Sequence, residues 1–146
     1  MLLDPRAPRF AATVTTVVLA AALITGSVLP LVVQAVVFAG TAAYPRLGPY
    51  GLLYRALVAP RLDPPTELEP AAPVRFAQVV GLVFTVVAVA GQLAGVPALF
   101  LAATGAALAA AFLNAAFDVC LGCAGYLAVR RLVGRPMVAR VPAGSS

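Results

Sequence analysis

Cys120 and Cys123 are the only cysteines of the chain, separated by Leu121 and Gly122, and there is no histidine, lysine or tryptophan. Any thiol or metal chemistry must therefore run through these two sulfurs. Two thiols with two residues between them can close a disulfide where the backbone leaves the regular helix. Within a regular helix, residues three apart share a face but cannot easily reach good disulfide geometry. At a helix start, exposed N–H groups and the helix dipole stabilise a thiolate. A structural zinc site wants four Cys or His ligands and this chain offers two, so only a dimer pooling its cysteines would supply a set. Haem and iron–sulfur ligation fail on the same count. No metal and no cofactor is expected.

Asp118 is the one acidic residue at the edge of an apolar run, which makes it a candidate proton acceptor beside the thiols. In a continuous helix it would point away from Cys120, two residues being about 200° of rotation. Two structural readings compete: an N-cap for a following helix, or an interhelical hydrogen bond. An ionised Asp118 near a cysteine would also raise that thiol's pKa, opposing the helix-start effect.

The elements that position these residues follow from composition and punctuation. The 146 residues are 62% hydrophobic and 10% charged, against roughly 25% charged in a soluble domain. Such a chain is suited to lipid. Four apolar runs stand out: Phe10 to Thr25, Leu29 to Tyr44, Phe76 to Ala94, and Ala98 to about Phe117. Gly26-Ser27 separates the first two, and Gly95-Val96-Pro97 the last two; both connections are short and uncharged, so each pair forms a hairpin. The first two runs are short for a core of ~30 Å, which leaves a re-entrant hairpin as an alternative. A cleaved signal peptide fits poorly, since no small-x-small site precedes the second run.

All ten basic residues are arginine. Arg6 and Arg9 precede the first run; Arg46, Arg55, Arg61 and Arg75 lie between the second and third; Arg130, Arg131, Arg135 and Arg140 follow the fourth. With four alternating spans every arginine falls on one side, which the positive-inside rule makes the cytoplasm. Both termini are expected there. This flanking distribution is not the clustered basic face of a nucleic-acid-binding protein, and no nucleic-acid partner is expected.

The halves repeat. Arg9-Phe10-Ala11 opens the first run and Arg75-Phe76-Ala77 the third. Leu47-Gly48-Pro49-Tyr50-Gly51 follows the second run and Leu121-Gly122-Cys123-Ala124-Gly125 the fourth. The expected fold is all-α: a four-transmembrane-helix bundle of two parallel helical-hairpin repeats, each followed by a short interfacial helix. A single domain spans 1–134, with repeat one at 9–59, an extended, solvated proline-rich linker at 60–74 and repeat two at 75–134. Residues 135–146 form a flexible cytoplasmic tail. Tyr50 and Tyr54 read as headgroup anchors on the first interfacial helix. By analogy the fourth helix breaks near Cys120 and a short helix follows; one unbroken helix from Ala98 to Arg131 would measure about 51 Å. Thr13, Thr16, Gln34, Gln78, Gln92 and Asn114 stand out as polar residues within the spans. They read as interhelical hydrogen-bonding groups, or as a pocket for a quinone or small sulfur species.

The chain resembles a family of small bacterial inner-membrane proteins classed as a domain of unknown function. The motifs that carry the likeness are Asp4-Pro5-Arg6, Pro8-Arg9-Phe10-Ala11, Tyr50-Gly51-Leu52, Pro60-Arg61-Leu62, Arg75-Phe76-Ala77-Gln78, Ala111-Phe112-Leu113-Asn114-Ala115 and Cys120-Leu121-Gly122-Cys123. It is similar, more loosely, to DoxX-like four-helix proteins. The resemblance implies a plasma-membrane protein whose Cys-x-x-Cys is the functional position, with thioredoxin-fold or sulfurtransferase proteins as neighbours. Besides the lipid bilayer, the partner expected is one of these. The function expected is a membrane-embedded thiol–disulfide redox module, its pair resting as a dithiol in a reducing cytoplasm. The alternatives are a non-catalytic helper or anchoring subunit of a membrane complex, and a small transporter for a sulfur compound.

Overall fold

Prolines and glycines mark nearly every helix boundary in the computed structural model, which describes residues 1–144. Helix α1 (Arg6–Thr25) carries Pro8 in its first turn, where backbone N–H groups have no carbonyl to meet and a proline costs nothing. It ends at Gly26, whose φ of 64° is the left-handed conformation glycine adopts freely. Helix α2 (Leu29–Ala43) starts with Pro30 in its first turn. Helix α3 (Pro49–Leu57) follows, then a 3-10 turn at Ala59–Arg61. The second half runs through α4 (Ala71–Leu93), α5 (Pro97–Phe117) and α6 (Leu121–Leu132), with Gly95 in the left-handed conformation between α4 and α5.

Among the described residues three helices, α1, α4 and α5, are long and apolar enough to cross a membrane, with 20, 23 and 21 residues. At 1.5 Å per residue each spans about 30 Å or slightly more. Helix α2 is equally apolar but has 15 residues, or about 22 Å. Large apolar side chains face outward on all four, among them Val17, Ile24, Val36, Val86 and Leu101. Apolar surface on this scale calls for lipid or a partner.

α1 packs on α5 and α2, and α4 packs on α2 and α5; α3 lies on α1, and α6 lies on α4. Leu19, Ala22, Leu31, Ala88, Phe100, Ala103 and Ala107 form the core cluster. These residues lie toward the two hairpin turns. There, the Gln92 amide also donates to the Gly26 carbonyl at 2.8 Å, tying the hairpins together.

The other end carries a small antiparallel sheet absent from the sequence reading: β1 (Leu2–Leu3), β2 (Glu67–Pro70) and β3 (Val141–Pro142), in the order β1-β2-β3. The expected solvated linker 60–74 therefore stops at Glu67. Its last residues form β2 and the first turn of α4, where Ala71, Pro73 and Val74 are buried. Pro73, inside the expected linker, occupies the first helical turn, where its missing N–H is not needed. The expected loose tail is likewise held: β3 pairs with β2, and Arg140 binds two carboxylates. The rest of that expectation, at residues 145 and 146, lies outside the described residues.

Candidate functional site

The backbone leaves the helix between Phe117 and Leu121. Asp118 stands in the left-handed conformation, φ 56° and ψ 32°, as C-cap of α5. Its N–H returns to the Asn114 carbonyl, and the Val119 N–H to that of Leu113, closing the orphaned carbonyls of the last turn. Asp, with a short polar side chain, tolerates this conformation better than most residues.

Cys120 is the N-cap of α6 in extended conformation, and its sulfur accepts the Cys123 N–H at 3.2 Å. Sulfur thus fills the place a Ser or Asp oxygen usually takes. The extended residue brings the Cα atoms of Cys120 and Cys123 to 5.2 Å, and the sulfurs are joined as a disulfide.

Close packing sets where this break sits. A Cβ built on Gly122 would lie 2.6 Å from the Cβ and 2.7 Å from the Cα of Ala77, so α6 meets α4 nearly backbone to backbone. Phe76, next to Ala77, stacks on Tyr126 of α6 with ring centroids 5.7 Å apart and planes at 47°. In the first half Phe10 meets Tyr54 of α3 in the same way, at 5.8 Å and 50°. The two arginines preceding these phenylalanines play matching parts. Arg9 donates to the Ala115 and Ala116 carbonyls at the end of α5, at 3.0 and 3.4 Å. Arg75 donates to the Ala42 carbonyl at the end of α2, at 2.8 Å. Each guanidinium thus neutralises the negative end of a helix from the opposite half.

Asp118, the candidate proton acceptor, is turned elsewhere. Its carboxylate accepts from Arg140 at 2.5 Å, and it does not line the cavity described next. Nor is it the N-cap of α6, a place Cys120 takes. Arg140 also lies 3.9 Å from Glu67. Glu69, in β2, is pushed up to about 7, chiefly by burial, with Arg140 opposing and Asp118 adding to the rise.

Both cysteines line a cavity of about 740 Å³ that extends from the core cluster, which it meets at Ala107, toward the end of the bundle away from the hairpin turns. Its walls are mostly apolar, with Phe38 and Phe84 among them. One buried polar chain crosses it: the Tyr50 hydroxyl donates to Gln34 Oε1 at 2.9 Å, and Gln34 Nε2 donates to the Thr15 hydroxyl oxygen at 3.1 Å. Gln34 is fully buried and Thr15 nearly so. Gln78 and Asn114 also line the cavity.

Not all polar residues of the spans behave as the sequence suggested. Gln34 and Gln92 bond between elements, but Thr13 and Thr16 donate to carbonyls four residues back in their own helix. Tyr54, expected as a headgroup anchor, is only 2% exposed. Its hydroxyl donates to Asp4 Oδ2 at 3.0 Å. Burial would raise the Asp4 carboxyl, but hydrogen bonds from Arg6 and Tyr54 outweigh it and hold it below the usual carboxylate range. Thr15, Tyr50 as part of a buried chain, and Asp4 as the partner of Tyr54 were missed. Only the alternation of polar with small residues along α1 hinted at a polar inward face there.

No curated protein and no solved structure matches this chain. Residues 3–131, which include all six helices up to the last residue of the final one, match the family model described as Domain of unknown function (DUF4395), and the chain belongs to that family.

Proposed function

We propose that this protein is a membrane-embedded thiol–disulfide redox module whose Cys120 and Cys123 cycle between disulfide and dithiol with a thioredoxin-like or sulfurtransferase partner. The observation that carries the reading is the joint at the start of α6, where the two sulfurs are bonded and the Cys120 sulfur caps the helix. On reduction the same N–H and the helix dipole stabilise a Cys120 thiolate. Cys120 is then the attacking sulfur and Cys123 the resolving one. As a mere staple the bond has little value: closing a loop of four residues restricts the unfolded chain by only about 2 kcal/mol in the chain-entropy account.

Four spans from two parallel repeats complete the reading. It is supported by α2, which is too short alone but has an uncharged surround and outward-facing Leu29, Val32, Val33 and Val36. It is also supported by the exchange of arginine caps and the paired Phe–Tyr contacts, which relate α1 to α4, α2 to α5 and α3 to α6. The N-termini of α1 and α4 and the C-termini of α2 and α5 then share one face with the cysteines. The arginine distribution argues for the cytoplasmic side of a bacterial plasma membrane. Asp118 acts here by holding Arg140, and with it β3, beside the joint.

The test is mixed-disulfide trapping in cells. Cys123→Ser should accumulate an adduct between Cys120 and a thioredoxin-fold or sulfurtransferase protein, whereas Cys120→Ser should not. Both variants should insert and accumulate like the parent. If neither variant traps a partner and thiol alkylation finds the pair permanently in one state, the reading fails and a helper subunit becomes the better account.

A further inference from the structure

The cavity beside the cysteines contains more hydrogen-bonding capacity than the protein uses. Thr15 accepts from Gln34, but among the described residues its own hydroxyl proton has no acceptor. Gln34 spends one amide N–H on Thr15 and keeps the other. The side-chain amides of Gln78 and Asn114 have no hydrogen-bond partner among the described residues, although both lie on helices of the apolar bundle and line the cavity. In a lipid-surrounded interior, unused donors are costly and mark ligand contacts. All four groups are neutral. Three charged residues also border the cavity: Arg46 and Arg55 are exposed, and the half-buried Asp4 carboxylate is already bonded to Arg6 and Tyr54.

We infer that this cavity binds a quinone, which takes two electrons from the Cys120–Cys123 dithiol; the electron-transfer part rests on the thiol-redox reading above. Four features select this class of ligand. The volume, about 740 Å³, is within the roughly 300–1,000 Å³ of small-molecule sites. The apolar walls suit a ring and the beginning of an isoprenoid tail and disfavour a charged thiol compound. The unused groups are mainly donors, as ring carbonyls require, and the Gln78 and Asn114 amide oxygens can accept from the hydroquinone once it forms. The wall also contains a two-electron, two-proton couple in the cysteine pair.

The step balances without a further reactant. Two S–H bonds break and one S–S bond forms. The two electrons and two protons released convert the two ring carbonyls to hydroxyls. The protein is left as the disulfide seen here, ready for reduction by the next dithiol, and the hydroquinone leaves into the bilayer.

Binding and electron transfer are tested separately with decylubiquinone on the full chain in lipid nanodiscs. Binding is measured by equilibrium dialysis on the Cys120→Ser/Cys123→Ser double variant, so that it does not depend on redox activity. Saturable binding is expected, about 5- to 10-fold weaker in Gln78→Leu, the scale of one lost hydrogen bond. It is expected to disappear in Ala111→Phe, whose ring would occupy the cavity. Gln78→Leu conserves side-chain bulk and keeps the test valid if Ala111→Phe fails to fold. Mixing the reduced parent chain with decylubiquinone should then yield one hydroquinone per disulfide closed. No saturable binding beyond that of empty nanodiscs, or binding indifferent to Gln78→Leu, overturns the inference. Binding without hydroquinone formation overturns it as well. In either case the redox reading survives if the Cys123→Ser adduct still forms in cells, and falls only if that adduct is missing.

Discussion

Gly122→Ala and Gly125→Ala should shift stability in opposite directions, although the two glycines are three residues apart on the same helix. At Gly125 an added Cβ meets nothing within 4 Å. Alanine there gains helix propensity, and α6 should be stabilised by about 0.5–1 kcal/mol. At Gly122 the added carbon lies 2.6 Å from the Cβ and 2.7 Å from the Cα of Ala77. One of those atoms belongs to the α4 backbone and cannot rotate away. Restoring ordinary contact, about 3.4 Å or more, requires α6 to withdraw from α4 by roughly 1 Å at this point. Overpacking of this kind costs about 1–3 kcal/mol, and it moves the start of α6, which is where the cysteines are joined. The assay is unfolding in a denaturing-detergent titration, followed by circular dichroism, with the rate of disulfide reduction by a small phosphine as a second readout. Gly122→Ala should lower the midpoint and speed reduction, while Gly125→Ala should raise the midpoint slightly and leave reduction unchanged. Two variants shifting together in the same direction would refute close α4–α6 packing as what places the site. Gly81→Ala is an internal control: its Cβ would fall 2.7 Å from the Phe38 ring, but that ring borders the cavity and can turn into it, so the cost should stay below that of Gly122→Ala.

Arg9→Ala and Arg75→Ala should each cost about 1 kcal/mol, the size of a charge-assisted cap at a helix C-terminus, and the two should match within error; a large effect from one and none from the other in the same titration would break the equivalence of the halves. Tyr54→Phe removes only the hydroxyl that donates to Asp4 and should cost about 1 kcal/mol, whereas Tyr54→Ala opens a cavity and should cost about 3–5 kcal/mol, both read by thermal unfolding. For Glu69, raised from 4.5 to about 7, the unfolded chain releases its proton first. Stability contributed by the sheet should therefore fall as pH rises from about 4.5 to about 7 and level off above it. Hydrogen exchange of residues 67–69, corrected for the intrinsic pH dependence of exchange, would show this slope, and Glu69→Gln should remove it. Asp4 runs the other way: its lowered pKa contributes stability above about 3.8, lost as pH falls through the lower folded value, so acid should loosen the contact between the amino terminus and α3 in a way that Asp4→Asn abolishes.

Much of this molecule is written in local chemistry. Four apolar runs, the Gly26 and Gly95 turns, Pro30 and Pro97 at helix starts and the break before Cys120 all follow from the conformational limits of glycine and proline and from the length a helix can run in lipid. The recurrence of Arg9-Phe10-Ala11 at Arg75-Phe76-Ala77 was legible too. What those arginines hold was not, because their carbonyl partners lie 106 and 33 residues away in sequence. The same limit hid the sheet: β1, β2 and β3 are two to four residues each and carry no alternation of their own, so only their mutual pairing makes them strands. It hid the fate of Asp118 as well. Its neighbours in sequence suggested a thiol partner, but the left-handed turn at its own backbone carries the carboxylate to Arg140. The sequence by itself thus determined the apolar composition, the helices and the single pair of sulfurs. The tertiary structure decided that α6 lies close enough to α4 for those sulfurs to border a cavity, and which polar groups across it are left unpaired. Helix boundaries depend on residues within a turn of each other, whereas a cavity and its unused hydrogen bonds exist only once distant helices have packed.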